Sequence, residues 1–357
     1  MVYRQFTAIL QDPHCQERYG IGMDKDLQKR WKAYEKKWRF RDFYFNKCLR
    51  RHGILKYFHR EPVMLYYAHR WILSKQKTND YIYNLIMSGK PFLVCRFGNT
   101  ELQTVVGNLK IKIMGHSEEA DAYLDKWFTR LGNGAGFFPV DYAYLDQFTE
   151  CILAAYRQAD LLAMWHLNME DFVINEYHPN VDLTYLFHLE PWLAKGRPWS
   201  AALKGKKVLI IHPFEDTIRS QYKKREMLFP GTEILPEFEL RTLKAVQTIC
   251  GERDERFENW FEALEYMYQE ALRIDFDVAI IGCGAYGMPL AAKLKQAGKQ
   301  AIHLGGATQL LFGIKGRRWE ENYPSKIATC FNDAWTYPLD SEKPQKAGTV
   351  ENGCYWK

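Results

Sequence analysis

The sequence lacks the patterns of membrane-spanning, zinc-binding and secreted proteins. Its 357 residues contain no uninterrupted apolar run that approaches the roughly 18 residues of a spanning helix. The eight cysteines form no CxxC pair and no Cys/His cluster at zinc spacing, so we expect reduced, mostly buried thiols. Gln11, Asp12 and Pro13 stand where a signal peptide needs apolar residues, so we expect the protein to stay in the cytoplasm.

The composition excludes a disordered or low-complexity chain. Hydrophobic residues make up 47% and charged residues 26%, as in soluble globular proteins with a full-sized core. The length corresponds to about two domains. Aromatic residues reach 15%, with 11 Trp and 22 Tyr. Such rings often line clefts that bind sugars or bases, but an aromatic-rich core explains the composition equally and is favoured by composition alone.

The positive charge is concentrated at the N-terminus. Residues 1–60 hold 15 Lys and Arg against 6 Asp and Glu, whereas the remainder holds 34 basic and 37 acidic residues. Aromatic and leucine residues recur at helical spacing from Asp24 to Phe58, which predicts a basic aromatic helix. Such a helix suits an anionic surface, either a membrane or a phosphate backbone, or it packs on the main body through its aromatic stripe. We expect no nucleic-acid partner, because no known nucleic-acid-binding module accompanies the charge.

From about residue 80, short apolar runs alternate with helical stretches. Strands are predicted at 92–95, 208–211, 278–281 and 301–304. Helices are predicted from Glu101 onward and at 239–250, 257–273 and 286–297. Continuous apolar strands separated by helices predict a parallel sheet that is buried on both faces.

These patterns divide the chain into four predicted parts. They are a basic aromatic helical extension at 1–75, an N-terminal α/β half at 76–200, a Rossmann-like half at 201–340 and a loose polar tail at 341–357. The boundary near 200 lies in a segment rich in lysine and glycine.

Each predicted strand runs into a polar or glycine-rich segment. These segments are 96–101, 212–216, 282–287 and 305–309. Because ligands of open parallel sheets bind at the carboxyl ends of the strands, the four segments predict a cleft.

The segment 282–287 reads Gly-Cys-Gly-Ala-Tyr-Gly, which matches the G-x-G-x-x-G pattern between a strand and a helix. Such a loop brings backbone N–H groups close to a phosphate at a helix N-terminus. A dinucleotide cofactor is an alternative, but the acidic residue expected about twenty residues further on is missing. In a third interpretation the glycines serve only the turn.

The first strand end contains an arginine and a carboxylate in close succession. Arg96 is suited to hold a phosphate or a carboxylate as a two-pronged donor, and Glu101 is suited to bind Mg²⁺ or Mn²⁺. Alternatively, Asn99 or Thr100 caps a helix whose first turn contains Glu101, and the spacing alone favours this cap.

The segment Arg96–Leu102, Arg-Phe-Gly-Asn-Thr-Glu-Leu, resembles the strand and loop of GT-D-type glycosyltransferases, whose pattern is Arg-(Phe/Leu)-Gly-Asp-x-Glu. The strings HPFEDTI, LPEFEL, GCGAYGMPLAAKLKQAGKQAIHLGG and TQLLFGIKGRRW resemble the C-terminal half of bacterial polysaccharide-cluster proteins similar to that family. The resemblance covers roughly residues 80–325. It implies an α/β fold with Rossmann-like parallel sheets of GT-D type. It also implies transfer of a sugar from a nucleotide diphosphate-sugar, in the first place a UDP-sugar, to a growing surface glycan or a lipid-linked acceptor.

In that family the Asp-x-Glu element lies at the metal and nucleotide-sugar site, which places Asn99 and Glu101 at the metal here. Asn99 replaces the acidic residue and brings no charge. In one alternative Glu101, the donor diphosphate and a further acidic residue hold a Mn²⁺ or Mg²⁺ cofactor. In the other, basic residues neutralise the diphosphate without a metal ion. The donor-binding residues then expected are Arg96, Gly98, Asn99, Thr100, Gly282, Gly284, Tyr286, Gly287, His303, Gly305, Gly306, Lys315 and Arg317.

Sugar transfer with inversion needs a group that takes the proton of the acceptor hydroxyl. Asp216 and Glu215 are the first candidates for this base and His212 is the next, although both carboxylates would also cap a helix that starts near Thr217. His303 is as compatible with a structural role as with ligand contact. Near the last helix, Lys315, Arg317 and their neighbours are suited to clamp a diphosphate or to form a solvated basic loop.

Two other functions stay open at this point. One is an NAD(P)-dependent oxidoreductase that uses the glycine loop, and the other is a non-catalytic glycan-assembly protein with the same fold. In the glycosyltransferase interpretation, residues 1–60 would hold the enzyme at an anionic membrane beside its lipid-linked acceptors.

Overall fold

The computed structural model describes residues 24–43, 65–322, 327–349 and 353–356. The helices are α1 (Lys25–Asp42), α2 (Lys75–Met87), α3 (Asn99–Met114), α4 (Glu118–Ala135), α5 (Leu145–Tyr156), α6 (Glu170–Tyr177), α7 (Glu215–Tyr222), α8 (Arg225–Leu228), α9 (Trp260–Leu272), α10 (Gly287–Gln296) and α11 (Ala307–Leu311). The strands are β1 (Tyr66–Tyr67), β2 (Arg70–Trp71), β3 (Phe92–Cys95), β4 (Leu161–Met164), β5 (Asp182–Tyr185), β6 (Lys207–His212), β7 (Glu239–Lys244), β8 (Val278–Ile281) and β9 (Gln300–His303).

Short helical turns complete the described secondary structure. The 3-10 turns are Tyr142–Tyr144, Leu186–Leu189, Pro191–Leu193, Trp199–Leu203, Ile249–Gly251, Gly284–Tyr286, Ala328–Cys330, Asp340–Glu342 and Ala347–Thr349, and Arg318–Asn322 form a π-helical turn. In the described residues no helix is both long and apolar enough to cross a membrane.

Seven strands form one parallel sheet in the order β5-β4-β3-β9-β8-β6-β7. Strands β1 and β2 form a separate antiparallel hairpin. The four strands predicted from apolar runs are β3, β6, β8 and β9, so the α/β class with a parallel sheet is confirmed. β3 from the predicted half 76–200 pairs with β9 from the half 201–340, so the sheet runs through both. The two-part division itself stays a prediction.

The apolar strands divide the core into two layers. Within β3, Leu93 and Cys95 point to one layer, and Phe92 and Val94 point to the other. Because successive side chains of a strand point to opposite faces, a sheet covered on both sides needs apolar residues at every position. This is why continuous runs, and not alternating ones, mark these strands in the sequence.

The helix predicted at 239–250 is wrong, because residues Glu239–Lys244 form β7 at the edge of the sheet. β7 pairs with β6 in parallel from Lys207↔Glu239 to His212↔Lys244. Leu240 and Leu243 are three residues apart, a spacing that also occurs in helices. An edge strand has one neighbour and is only partly buried here, so it lacks the continuous apolar run that marks a central strand.

The basic helix is present in its described part, and residues 44–58 of that prediction lie outside the described residues. The Asp24 carboxylate caps α1 by accepting the N–H groups of Asp26 and Leu27, at 2.9 and 3.1 Å. Trp31 is 1% exposed, and its ring contacts Phe172 of α6 edge-on at 4.7 Å. The helix therefore packs on the main body through its aromatic stripe.

The tail predicted to be loose is packed in its described residues. The buried Glu342 carboxylate accepts the N–H groups of Asp216 and Thr217, at 2.8 and 3.2 Å, and thereby caps α7. Trp356 is also buried, and its ring lies 6.0 Å from that of Phe214. Because most residues of the tail are polar, its composition does not indicate that a few of its side chains anchor it to the body.

Candidate functional site

The described residues form a cavity of about 90 Å³ at the carboxyl edge of the sheet. It is lined by Arg96 after β3, His212–Phe214 after β6, Gly282–Gly284 and Tyr286 after β8, Gly306 and Gln309 after β9, and by Gly134–Gly136, Val246–Ile249 and Tyr355–Trp356. Cavities that enclose a drug-sized ligand are larger, about 300 to 1,000 Å³. The cavity therefore fits one polar part of a ligand, with the remainder outside it.

Arg96 lies at the cavity wall beside the loop that follows β9. A Cβ atom on Gly305 would stand 2.6 Å from its Nε and 2.8 Å from its Cζ, so the side chain occupies space that only a glycine leaves open. Gly305 also has a φ of +66°, which favours glycine. Nη1 of Arg96 donates to the Phe97 carbonyl at 3.3 Å, which fixes the guanidinium while its other N–H groups can meet an anion.

Three buried polar groups near Arg96 lack hydrogen-bond partners among the described residues. They are the ring of His303, the hydroxyl of Thr308 and the side-chain carbonyl of Gln309, of which only Gln309 lines the cavity, while the His303 ring lies against Gly287 and the Arg96 backbone. Gln309 is held in place because its Nε2 donates to the carbonyls of Ile314 and Lys315, at 3.3 and 3.0 Å. Since buried polar groups are normally paired, the unpaired carbonyl of Gln309 is suited to accept a hydrogen bond from a ligand in the cavity.

His303 and His212 are both buried and uncharged. Burial, reinforced by Arg96, holds the pKa of His303 well below its usual range, and burial lowers the pKa of His212 to about 3. Nδ1 of His212 accepts the Phe214 N–H at 3.0 Å, so the neutral ring carries its proton on Nε2. His212 is therefore a hydrogen-bond donor toward the cavity and a poor proton acceptor.

The glycine loop makes close contacts with the protein itself. A Cβ atom on Gly282 would stand 2.5 Å from the Gly305 carbonyl oxygen, and one on Gly284 would stand 2.8 Å from the Ala135 carbonyl oxygen. A Cβ atom on Gly287 would overlap the ring of His303. These glycines are thus required by the packing of the turn, and they also line or support the cavity.

Tyr286 has a clear structural role at the cavity wall. Its ring stacks on Trp260 with centroids 5.0 Å apart, and its hydroxyl lies 3.0 Å from Oγ1 of Thr248.

The structure gives no support to the dinucleotide interpretation, because β9 ends in the uncharged His303, where a dinucleotide site would have an acidic residue to bind the ribose.

Glu101 and its neighbours lie at the start of α3, beside Arg96. Gly98 is the cap residue of this helix, and a Cβ atom on Gly98 would overlap the Glu101 carboxyl group. Burial raises the pKa of Glu101, and the nearby Arg96 opposes this shift. Neither Asn99 nor Thr100 provides the side-chain cap predicted as the alternative.

The described residues contain no group of three His, Cys, Asp or Glu side chains that could hold a metal ion. Asn99 and Glu101 offer one amide and one carboxylate, whereas Mg²⁺ prefers six oxygen ligands. This donor set does not fit a preformed metal centre, and the Mn²⁺ or Mg²⁺ cofactor stays a prediction.

The two carboxylates expected to act as a base lie off the cavity wall. Glu215 accepts from Arg219 at 2.8 Å and from the Thr242 hydroxyl at 2.7 Å, on the side of α7 that faces β7. Asp216 is exposed. Both stand in the first turn of α7, as the capping alternative predicted.

The basic residues near α11 are also outside the cavity lining. Nζ of Lys315 lies over the rings of Phe331 and Tyr337, at 5.9 and 5.4 Å from their centroids. Arg317 is exposed, and its Nε lies 3.6 Å from a Glu321 carboxylate oxygen.

Three segments of the cavity wall were missed by sequence reasoning. Gly134–Gly136 end α4, and the string Gly-Asn-Gly-Ala-Gly before Phe137 is a signal that could have found them. Val246–Ile249 follow the unrecognised edge strand, and Tyr355–Trp356 come from the tail. The last two segments carry no motif.

A second polar cluster lies beyond the end of β4. The fully buried Glu170 accepts the N–H groups of Trp165 and Leu167, at 3.3 and 3.2 Å. Burial raises the pKa of Glu170 to about 8, opposed by these N–H groups and by Arg41. His166 has a positive φ of 60°, and its Nε2 lies 3.1 Å from the Tyr185 hydroxyl.

No protein-family model and no curated protein matches the sequence. Two solved structures are similar to the chain. The first is the highly conserved domain of unknown function 1792, described as having a distinct glycosyltransferase fold, with 13% identity and a TM-score of 0.40 over 76% of this chain and 92% of that one. The second is the selenomethionine-substituted form of domain 1792, with 13% identity, a TM-score of 0.39 and the same coverage. The function proposed next rests on the cavity.

Proposed function

We propose that the protein is a glycosyltransferase that moves a sugar from a nucleotide diphosphate-sugar, in the first place a UDP-sugar, to a growing surface glycan or a lipid-linked acceptor. The observation that carries the proposal is the fixed guanidinium of Arg96 in the wall of a cavity at the carboxyl edge of a parallel sheet. A small cavity with a guanidinium in its wall suits a diphosphate, while the sugar and the base of the donor extend outside it.

In this proposal Arg96 neutralises the donor diphosphate. Its guanidinium is fixed by the Phe97 carbonyl and by the space over Gly305, so its remaining N–H groups are preorganised for phosphate oxygens. As the bond from the sugar to the diphosphate breaks, negative charge grows on the departing phosphate oxygen. Arg96 and the Nε2–H group of His212 stabilise that charge, and neither group has to gain or lose a proton.

The proton of the acceptor hydroxyl needs a different acceptor from those predicted. His212 carries its proton on Nε2, and Glu215 is engaged by Arg219 and Thr242. We assign this step to Glu101, which is outside the cavity lining but stands at the start of α3 beside Arg96. Burial raises its pKa, and a raised pKa makes a carboxylate a stronger base. The bond from the sugar to the acceptor oxygen forms as the hydroxyl proton passes to Glu101.

Release of UDP from a panel of UDP-sugars, with and without added glycan acceptors, tests this proposal. We expect Arg96→Ala to weaken donor binding and Glu101→Gln to lower kcat by about 100- to 10,000-fold. The exposed Glu150→Gln in α5 is the matched control and should leave turnover unchanged. Equal turnover in Glu101→Gln and Glu150→Gln would contradict the role of Glu101.

A non-catalytic glycan-assembly protein is the second candidate, favoured by the fact that among the described residues no Asp or Glu, Glu101 included, lines the cavity. This candidate predicts that the wild-type protein binds a nucleoside diphosphate but transfers no sugar. Turnover by wild type that Arg96→Ala abolishes excludes it.

A further inference from the structure

The outward face of α1 carries a row of four lysines. Lys25, Lys29, Lys32 and Lys36 follow at steps of four, three and four residues, so at 100° per residue they lie within an arc of about 60°. All four are exposed. No ion pair among the described residues involves any of them. We name this row the lysine stripe.

Other cations of α1 already hold the helix on the body. Nε of Arg30 lies 2.9 Å from a carboxylate oxygen of Glu176, and Nζ of Lys37 lies 3.2 Å from a carboxylate oxygen of the buried Asp171. Arg39 stands at the border of the stripe and is engaged by carboxylates. The fold therefore does not need the lysine stripe, and its charge is available to a partner.

Exposed apolar side chains continue from the end of the stripe. Phe40 and Phe43 lie on the same face of α1 and are 71% and 54% exposed. Leu65, Tyr66 and Trp71 of the β1–β2 hairpin region are 67%, 50% and 73% exposed. These residues are five of the ten exposed large apolar side chains in the described part of the chain.

Helix α1 and the hairpin are in contact with each other. Cζ of Arg41 lies 5.4 Å from the ring centroid of Tyr67, and the rings of Tyr34 and His69 are 6.5 Å apart. The exposed residues of both elements thus belong to one region of the surface. Clustering of exposed apolar residues marks an interaction site, whereas scattered ones do not.

We propose that this basic–aromatic surface, which consists of the lysine stripe with Phe40, Phe43, Leu65, Tyr66 and Trp71, docks on an anionic lipid bilayer. Lysines attract acidic headgroups, and Trp, Tyr and Phe insert at the boundary between headgroups and acyl chains.

The chemistry favours a bilayer over a second copy of the chain. Protein interfaces are depleted of lysine, and a symmetric dimer would place two lysine stripes against each other without acidic residues to pair them. This inference stands on the surface alone and does not depend on sugar transfer, so it survives or fails independently of the proposed function.

Co-sedimentation of the full chain with vesicles tests the proposal. We expect binding to phosphatidylcholine vesicles that contain phosphatidylserine and little binding to pure phosphatidylcholine. Raising the salt from about 0.1 M to 1 M shortens the screening length from about 10 Å to 3 Å and should release the protein. The triple variant K29Q/K32Q/K36Q should bind the acidic vesicles less tightly by roughly fivefold per lysine, on the order of a hundredfold in all.

The control variant K204Q/K223Q/K224Q removes the same charge from exposed lysines elsewhere and should bind like wild type. Trp71→Ala should also weaken binding, with less dependence on salt. Equal binding of the two triple variants, or no binding of wild type to acidic vesicles, would overturn the proposal. So would a dimer of the full chain that Trp71→Ala dissociates in light scattering, because the surface would then be an interface between copies.

Discussion

The guanidinium of Arg96 packs closely against the α-carbon of Gly305: a Cβ atom on Gly305 would stand 2.6 Å from Nε of Arg96. Gly305 follows β9 and Arg96 follows β3, and these two strands are neighbours in the sheet. The glycine after β9 thus leaves room for the arginine after β3, and the shape of the cavity depends on both residues.

Gly305→Ala should therefore abolish nucleotide binding as well as lower stability. The positive φ of +66° costs an alanine about 1–2 kcal/mol, and the new methyl group pushes the guanidinium aside. Gly298→Ala is the matched control, because Gly298 has a φ of +84° with nothing within 4 Å of its Cβ position. Calorimetric titration with UDP should show binding to the control and none to Gly305→Ala; equal affinities would contradict the role of this glycine.

His303→Leu should not lower the stability of the free protein. An unpaired buried polar group costs about 1–3 kcal/mol, and leucine removes that cost. Gln300→Leu in the same strand is the control, because Nε2 of Gln300 donates to the carbonyls of Leu85, Ile86 and Lys90. Thermal unfolding should show a loss of stability in Gln300→Leu alone, whereas a comparable loss in His303→Leu would indicate a structural histidine.

Trp31→Ala should destabilise the protein by about 3–5 kcal/mol, because the indole is buried between α1 and the body. Trp71→Ala removes an equally large side chain that is 73% exposed and should change stability by less than about 0.5 kcal/mol. Urea denaturation of both variants measures the difference. Similar values for the two would mean that α1 is not held by its aromatic stripe.

Sequence reasoning found the centre of this fold because strands covered on both faces must be apolar throughout. β3 and β8 show this clearly. It missed β5 and misassigned β7, which lie at the two edges of the sheet, where one side of the ladder is open and polar residues are tolerated. It also missed the interior strand β4, although Leu161–Met164 is a continuous apolar run like that of β3.

The candidate site was predictable only where a motif follows a strand. Arg96, Gly282 and Gly305 were found in this way. Thr248 and Tyr355 reach the same cavity from segments without any local signal, since their position depends on how distant parts of the chain pack. The carboxylates were misplaced for a related reason: Glu215 follows β6 as expected, but the first turn of α7 carries it toward β7 and away from the cavity.

The stability of the protein should fall through Glu170 as the pH rises from about 6.5 to 8, because below this range the buried His212 and His303, whose pKa values are lowered, act with the opposite sign. Burial raises the pKa of this carboxyl from its usual value near 4.5 to about 8, so in this range the folded state binds a proton that the unfolded state has lost. Each pH unit then lowers the free energy of unfolding by up to about 1.4 kcal/mol. Glu170→Gln should remove this dependence and be more stable than wild type near pH 8.

Urea denaturation at several pH values measures this effect. Glu176→Gln, which removes a surface carboxylate paired with Arg30, is the control and should keep the slope of wild type. An unchanged slope in Glu170→Gln would show that Glu170 is ionised in the folded protein.

A thermal-shift comparison of wild type and Arg96→Ala tests the central claim that the cavity holds a nucleotide diphosphate. The panel contains UDP, GDP and dTDP with their sugars, NAD(H) and NADP(H), each with Mn²⁺ and with EDTA. A ligand at 100 times its Kd adds about 2.7 kcal/mol, a shift of a few degrees for a chain of this length. We predict that one nucleoside diphosphate family raises the Tm of wild type, keeps that effect in EDTA and has none on Arg96→Ala. A shift with NAD(P) alone, no shift with any nucleoside diphosphate, or an equal shift in Arg96→Ala would contradict the account.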